Sequence, residues 1–162
     1  MSSEFAFTAF YSGVFLVIMF IDWEHQLILN KVTYPMAIVA LVILAVDSFL
    51  PEPSILSHLR LVPEPSILSG IIGGAIGFIF FMIVFLINPR GMGMGDIKLA
   101  ALIGLVTGFP AVIVALLTGI FIGGLVAVTL LLTRVKGRKD VIPYGTFLAL
   151  GPMITLLWGN DI

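Results

Sequence analysis

The sequence predicts an all-α, polytopic membrane protein with about six transmembrane helices. Two observations of composition predict it first. Of 162 residues, 60% are hydrophobic and only 10% are charged, against about 25% charged in a soluble domain. Mean hydropathy is +1.21. The third is a pattern: apolar runs close to the roughly 20 residues of a membrane-spanning helix recur between polar stretches.

The expected spans run over residues 5–21, 32–50, 67–87, 96–108, 110–133 and 142–158. The fourth is short for a full crossing. Gly73, Gly74 and Gly77 in the third span, and Gly119, Gly123 and Gly124 in the fifth, suggest close helix packing, because small residues let two backbones approach. The first run has no basic residue before it and no small-residue pattern after it, so a cleaved signal peptide is not expected.

Lys and Arg set the orientation. Lys31 lies in the first connection, Arg90 and Lys98 in the third, and Arg134, Lys136, Arg138 and Lys139 in the fifth. Only Arg60 falls on the other side, beside Glu52 and Glu64. The odd connections are therefore expected at the cytoplasm and both termini outside. The second connection holds a duplication, Pro51–Ser57 recurring as Pro63–Ser69, whose prolines argue against a helix there.

Several function classes are disfavoured. A net charge of -1 provides no basic surface for nucleic acid. The chain has no cysteine, which removes thiolate nucleophiles and cysteine zinc sites. The histidines, His25 and His58, fall in different connections. Neither a metal nor another cofactor is expected.

The chemistry converges on acids. Glu4, Asp47, Glu52, Glu64 and Asp161 fall on the outer side, and Asp140 sits in a basic stretch. Asp22, at the end of the first span with Glu24 close by, and Asp96, at the start of the fourth, fall on the cytoplasmic side. Asp96 follows a run of alternating glycine and methionine, Gly91-Met92-Gly93-Met94-Gly95. Two carboxylates that meet near one water can share a proton, one as base and one as acid. The alternatives are helix-capping acids at the interface, or proton and cation carriers in a small transporter or channel.

Three motifs narrow the choice. Ile21–Ile28 resembles the first aspartate motif of the type IV prepilin peptidases, and Gly91–Leu99 resembles their second, the G-x-G-D motif. Ile142–Ala149 is similar to the start of their last helix. Leu29-Asn30 stands where the family often has Pro-Asp, and Met94 where it usually has an aromatic. The resemblance implies a G-x-G-D intramembrane aspartic protease in which Asp22 and Asp96 are catalytic. It implies a prepilin or pseudopilin substrate whose short basic leader is cut at the cytoplasmic face of the inner membrane. It also implies the short, peptidase-only form, with residues 1–162 as a single membrane-embedded domain and no cytoplasmic methyltransferase-type domain. Proteases of the signal-peptide-peptidase or presenilin kind share G-x-G-D but carry their aspartates deeper within helices. Gly93, Gly95 and Lys98 are the expected substrate-binding residues, with Gly91 to Gly95 as a mobile loop. Helix dipoles favour an anion at Asp96 and disfavour one at Asp22, so Asp96 is expected as the base and Asp22 as the acid.

Overall fold

A computed structural model describes residues 3–25, 28–49, 67–89, 92–133 and 144–158. Six α-helices make up the ordered elements of this set: α1 (Ser3–His25), α2 (Asn30–Phe49), α3 (Ile67–Ile87), α4 (Met94–Thr107), α5 (Ala111–Leu132) and α6 (Tyr144–Trp158). They match the six expected spans to within a turn. Three are long and apolar enough to cross a membrane, over Ala6–His25, Ile67–Ile87 and Ala111–Leu130. Shorter apolar helices cover Asn30–Val46 and Tyr144–Trp158. Phe20, Ile38, Ile79, Phe121 and Leu125 all face outwards and are more than half exposed. So large an apolar exterior belongs in lipid rather than water, and the chain is a multi-pass membrane protein. The first copy of the proline-rich duplication, most of the second, Gly91 and Asp140 lie outside the described residues.

The shortest helix is the centre. α4 packs against α2, α3, α5 and α6, and Ile97, Leu99, Ala100, Leu102, Ile103 and Val106 are buried. Its ends are defined by glycines. At the start, the Asp96 amide donates to the Gly93 carbonyl at 3.1 Å, and the Gly93 amide donates to Asp96 Oδ2, also at 3.1 Å. At the finish, Gly108 takes φ 70° and its amide still donates to the Gly104 carbonyl at 2.9 Å. A glycine tolerates that left-handed step without a Cβ penalty.

α3 and α4 form a glycine seam. A Cβ at Gly73 would collide with the Gly104 carbonyl, one at Gly104 with the Gly73 carbonyl, and one at Gly77 with the Ala100 carbonyl. Moving four residues along α3 thus moves four residues back along α4, an antiparallel register. Extended by one further turn, the same register runs from Phe81 to Asp96. On the other side of the bundle, Gly151 of α6 meets the Ala115 carbonyl of α5, and Gly119 lies against Leu148. Five of the six glycines singled out in the sequence are packing contacts. Gly124 is the exception, with open space where its Cβ would be.

Two prolines sit inside helices, Pro35 in α2 and Pro152 in α6. Each lacks an amide hydrogen and so cannot bond four residues back. Prolines are tolerated in membrane helices, where neighbouring groups can satisfy the freed carbonyl. The buried Tyr11 hydroxyl of α1 donates to the Met36 carbonyl of α2 at 3.2 Å, beside Pro35.

Candidate active site

Asp22 and Asp96 come from different helices and end up in one place. Asp22 is 5% exposed and Asp96 is 8% exposed, and Ile28 joins their surroundings: Gly95, next to Asp96, and Gly145, beside Asp22 Oδ2, both pack against it. Burial of two like charges in apolar surroundings is costly, so a fold retains it only with compensating partners.

The first partner of Asp22 comes from the far end of the chain. Its Oδ2 accepts a hydrogen bond from the Thr146 amide at 2.7 Å and another from the Thr146 hydroxyl at 3.0 Å. Thr146 lies in the first turn of α6, where amides lack intrahelical acceptors. The same hydroxyl is 3.4 Å from the Met19 carbonyl of α1. Gly145 makes this approach possible. A Cβ there would stand 3.0 Å from Asp22 Oδ2 and 2.8 Å from Ile28 Cδ1.

Asp96 is held by its own helix start, through the bond from the Gly93 amide. The Tyr144 ring rests 6.4 Å from the Phe81 ring between centroids, consistent with the register of α3 on α4. The first turn of α6 therefore holds Asp22 through Thr146 and sets Tyr144 against Phe81 of α3.

The other expected residues are placed as follows. Gly93 caps α4 and is exposed beside the Asp96 carboxylate. Gly95 lies in the first helical turn of α4, where its added Cβ would fall 2.8 Å from Ile28 Cβ. Met94 and Gly95 are thus helical rather than part of a loop, because the cap at Gly93 starts the helix before Asp96. Lys98 turns away towards α2. Its ammonium donates to Asn30 Oδ1 at 2.9 Å and stands 5.0 Å above the Tyr34 ring. Residues two apart on a helix do not share a face, so Lys98 and Asp96 diverge. Glu24 and His25 are exposed at the end of α1, 3.9 Å apart. α1 runs three residues beyond Asp22, since Trp23, Glu24 and His25 contain no helix breaker.

The sequence assigns no role to Thr146, Tyr144 or Ile28, although the first two lie within the third motif and Ile28 ends the first, and it marks Asn30 only as a departure from the family pattern. The available signal was a hydroxyl residue next to a glycine at the start of an apolar helix. It pointed to a helix entry and not to a carboxylate 124 positions away.

Comparisons with known proteins bear on this cluster. The family model of the type IV leader peptidase family matches residues 9–128, a stretch that contains Asp22 and Asp96. A Bacillus subtilis (strain 168) protein named prepilin leader peptidase/N-methyltransferase is 34% identical over 94 residues, covering 58% of this chain and 38% of its own. Proteins of the same name from Aeromonas salmonicida (strain A449) and Xanthomonas campestris pv. campestris are 27% and 28% identical. Those two cover 92% and 96% of this chain, and 48% and 51% of their own. The chain thus spans about half the length of these longer-matching relatives. No solved structure matches. Six apolar helices gather two acids in a buried cluster, and the family model runs through both of them: the chain belongs to the type IV leader peptidase family.

Proposed function

We propose that this chain is an intramembrane aspartic endopeptidase that removes the short basic leader of type IV prepilins or pilin-like precursors. The observation that carries the proposal is two buried carboxylates, Asp22 of α1 and Asp96 of α4, whose neighbours Gly145 and Gly95 pack on the same residue, Ile28. The names of the relatives supply the substrate class. The distribution of Lys and Arg supports a cytoplasmic cut at the inner membrane.

The chemistry follows from a pair that shares one proton. One carboxylate takes a proton from water as the water oxygen attacks the scissile carbonyl carbon. The other donates its proton to the carbonyl oxygen, giving a neutral tetrahedral diol. Collapse re-forms the carbonyl, breaks the C–N bond and passes a proton to the leaving amine. The contacts around the acids reverse the roles that helix dipoles suggest. Among the described residues, Asp22 Oδ2 accepts two hydrogen bonds and Asp96 Oδ2 accepts one. A hydrogen bond to a charged group contributes about 1.5–3 kcal/mol, whereas a dipole contributes about 0.3–1 kcal/mol. Asp22 is therefore the base in this proposal and Asp96 the acid. Gly93, exposed beside Asp96, is the proposed substrate contact; Gly95, packed on Ile28, and Lys98, bonded to Asn30, are not placed to serve as the sequence suggests.

Asp22→Asn and Asp96→Asn are each expected to abolish cleavage, with insertion and helicity unchanged. The measurement is mass spectrometry of the pilin N-terminus after co-expression with pilin precursors. Full processing by either variant would exclude the pair. Ion flux through the purified chain in vesicles, without cleavage, would favour a transporter instead.

A further inference from the structure

We propose that Thr146 is a positioning residue for Asp22, and that its hydroxyl serves Asp22 in both of its protonation states. The inference rests on the assignment of Asp22 to the catalytic pair.

The geometry gives Thr146 two different links to one oxygen. Its amide lies 2.7 Å from Asp22 Oδ2, and its hydroxyl lies 3.0 Å from the same atom. An amide hydrogen can only be donated. A hydroxyl can donate or accept, because it carries one hydrogen and two lone pairs. When Asp22 is a carboxylate, the hydroxyl donates to Oδ2. When Asp22 has taken a proton, the hydroxyl can rotate and accept from it. Its own hydrogen then needs another acceptor, and the Met19 carbonyl stands 3.4 Å away. Thr146 is 5% exposed, so bulk water does not readily replace it.

A hydrogen-bond switch of this kind matters most in turnover. A base in the proposed cycle gains and loses a proton each time, and a buried polar group left unpaired in one of those states raises the barrier. The hydroxyl keeps Asp22 paired throughout, and it fixes the carboxylate rotamer while the proton moves. Gly145, immediately before it, provides the space. Substrate need not touch Thr146 at all.

The test uses the full chain in detergent or vesicles. Its probe is a purified precursor in which a short basic leader precedes an apolar helix. Thr146→Val keeps the shape and the amide but removes the hydroxyl. It is expected to lower kcat about tenfold while KM stays within twofold. Thr146→Ser restores the hydroxyl without the methyl group and is expected to return kcat to within about threefold of the parent. Thr146→Ala is measured alongside and should behave like valine. Only protein eluting at the parental position and keeping the parental melting temperature is assayed. Unchanged kcat in both Val and Ala variants would overturn the inference. So would a Ser variant as slow as Val, which would assign the effect to methyl packing. Asp22→Asn in the same assay separates the two claims. If Asp22→Asn is active, the catalytic assignment fails. If Asp22→Asn is inactive and Thr146→Val is fully active, only the positioning role fails.

Discussion

At the residue scale, the candidate site depends on a missing side chain. Gly145 stands where a methyl group would meet Asp22 Oδ2 at 3.0 Å and Ile28 Cδ1 at 2.8 Å. The end of an isoleucine side chain can rotate away, but a carboxylate held by two hydrogen bonds moves only by losing them. Gly145→Ala is therefore expected to cut turnover at least tenfold with little loss of melting temperature. Adding Ile28→Ala clears the Cδ1 contact but leaves the carboxylate contact, so the double variant should stay slow. Recovery to parental turnover in the double variant would locate the effect at Ile28. Gly95 follows a different logic. Its contact is with Ile28 Cβ, an atom fixed by the backbone, so Gly95→Val costs stability as well as activity.

At the element scale, the α3–α4 seam decides where Asp96 sits. At Gly73, Gly77 and Gly104 backbone meets backbone, and no side chain is available to give way. Gly104→Val should lower stability by about 3 kcal/mol, the upper part of the usual overpacking range. Gly124→Ala, with nothing within 4 Å of the new Cβ, should leave the melting temperature unchanged or slightly raised. Thermal unfolding in detergent compares them directly. The contrast also marks how far the sequence can be read. Long apolar runs specify helices almost by themselves, and all six were legible. Small residues announce close packing, yet they do not say which face pairs with which helix. Gly124 and Gly123 look alike in the sequence, but only at Gly123 would an added Cβ meet α6, 3.1 Å from Phe147 Cβ. The two acids were legible because charge is rare in this chain. Thr146 was not, because its partner lies across the fold and threonine is common in apolar helices. The turn of α1 beyond Asp22 was hidden for a simpler reason. A charged residue ends an apolar pattern without ending a helix.

At the scale of the whole molecule, the proposed chemistry needs two acids and a water. The histidines are far apart in sequence and cysteine is absent, so cleavage should persist at full rate in strong chelators. Loss of activity with chelator that zinc restores would contradict the two-acid mechanism. Leader removal before and after chelation, followed by mass spectrometry, reads this directly.

The antiparallel seam has a consequence for depth. If Phe81 is level with Asp96, then α3 continues for the six residues from Met82 to Ile87 beyond that level, about 9 Å at 1.5 Å per residue. α4 itself, with 14 residues, is about 21 Å long, well short of a hydrocarbon core of about 30 Å. The acid at its start is therefore recessed below the rim formed by its longer neighbour, and a bilayer matched to α3 is too thick for α4. Either the bilayer thins around the whole bundle, or headgroups and water descend to meet Asp96. Acyl-chain length then acts as a control on the reaction. In vesicles of short-chain phosphatidylcholine the descent is small, and turnover should rise relative to long-chain vesicles at equal protein stability. A rate independent of bilayer thickness would mean that the bundle admits water by a route of its own.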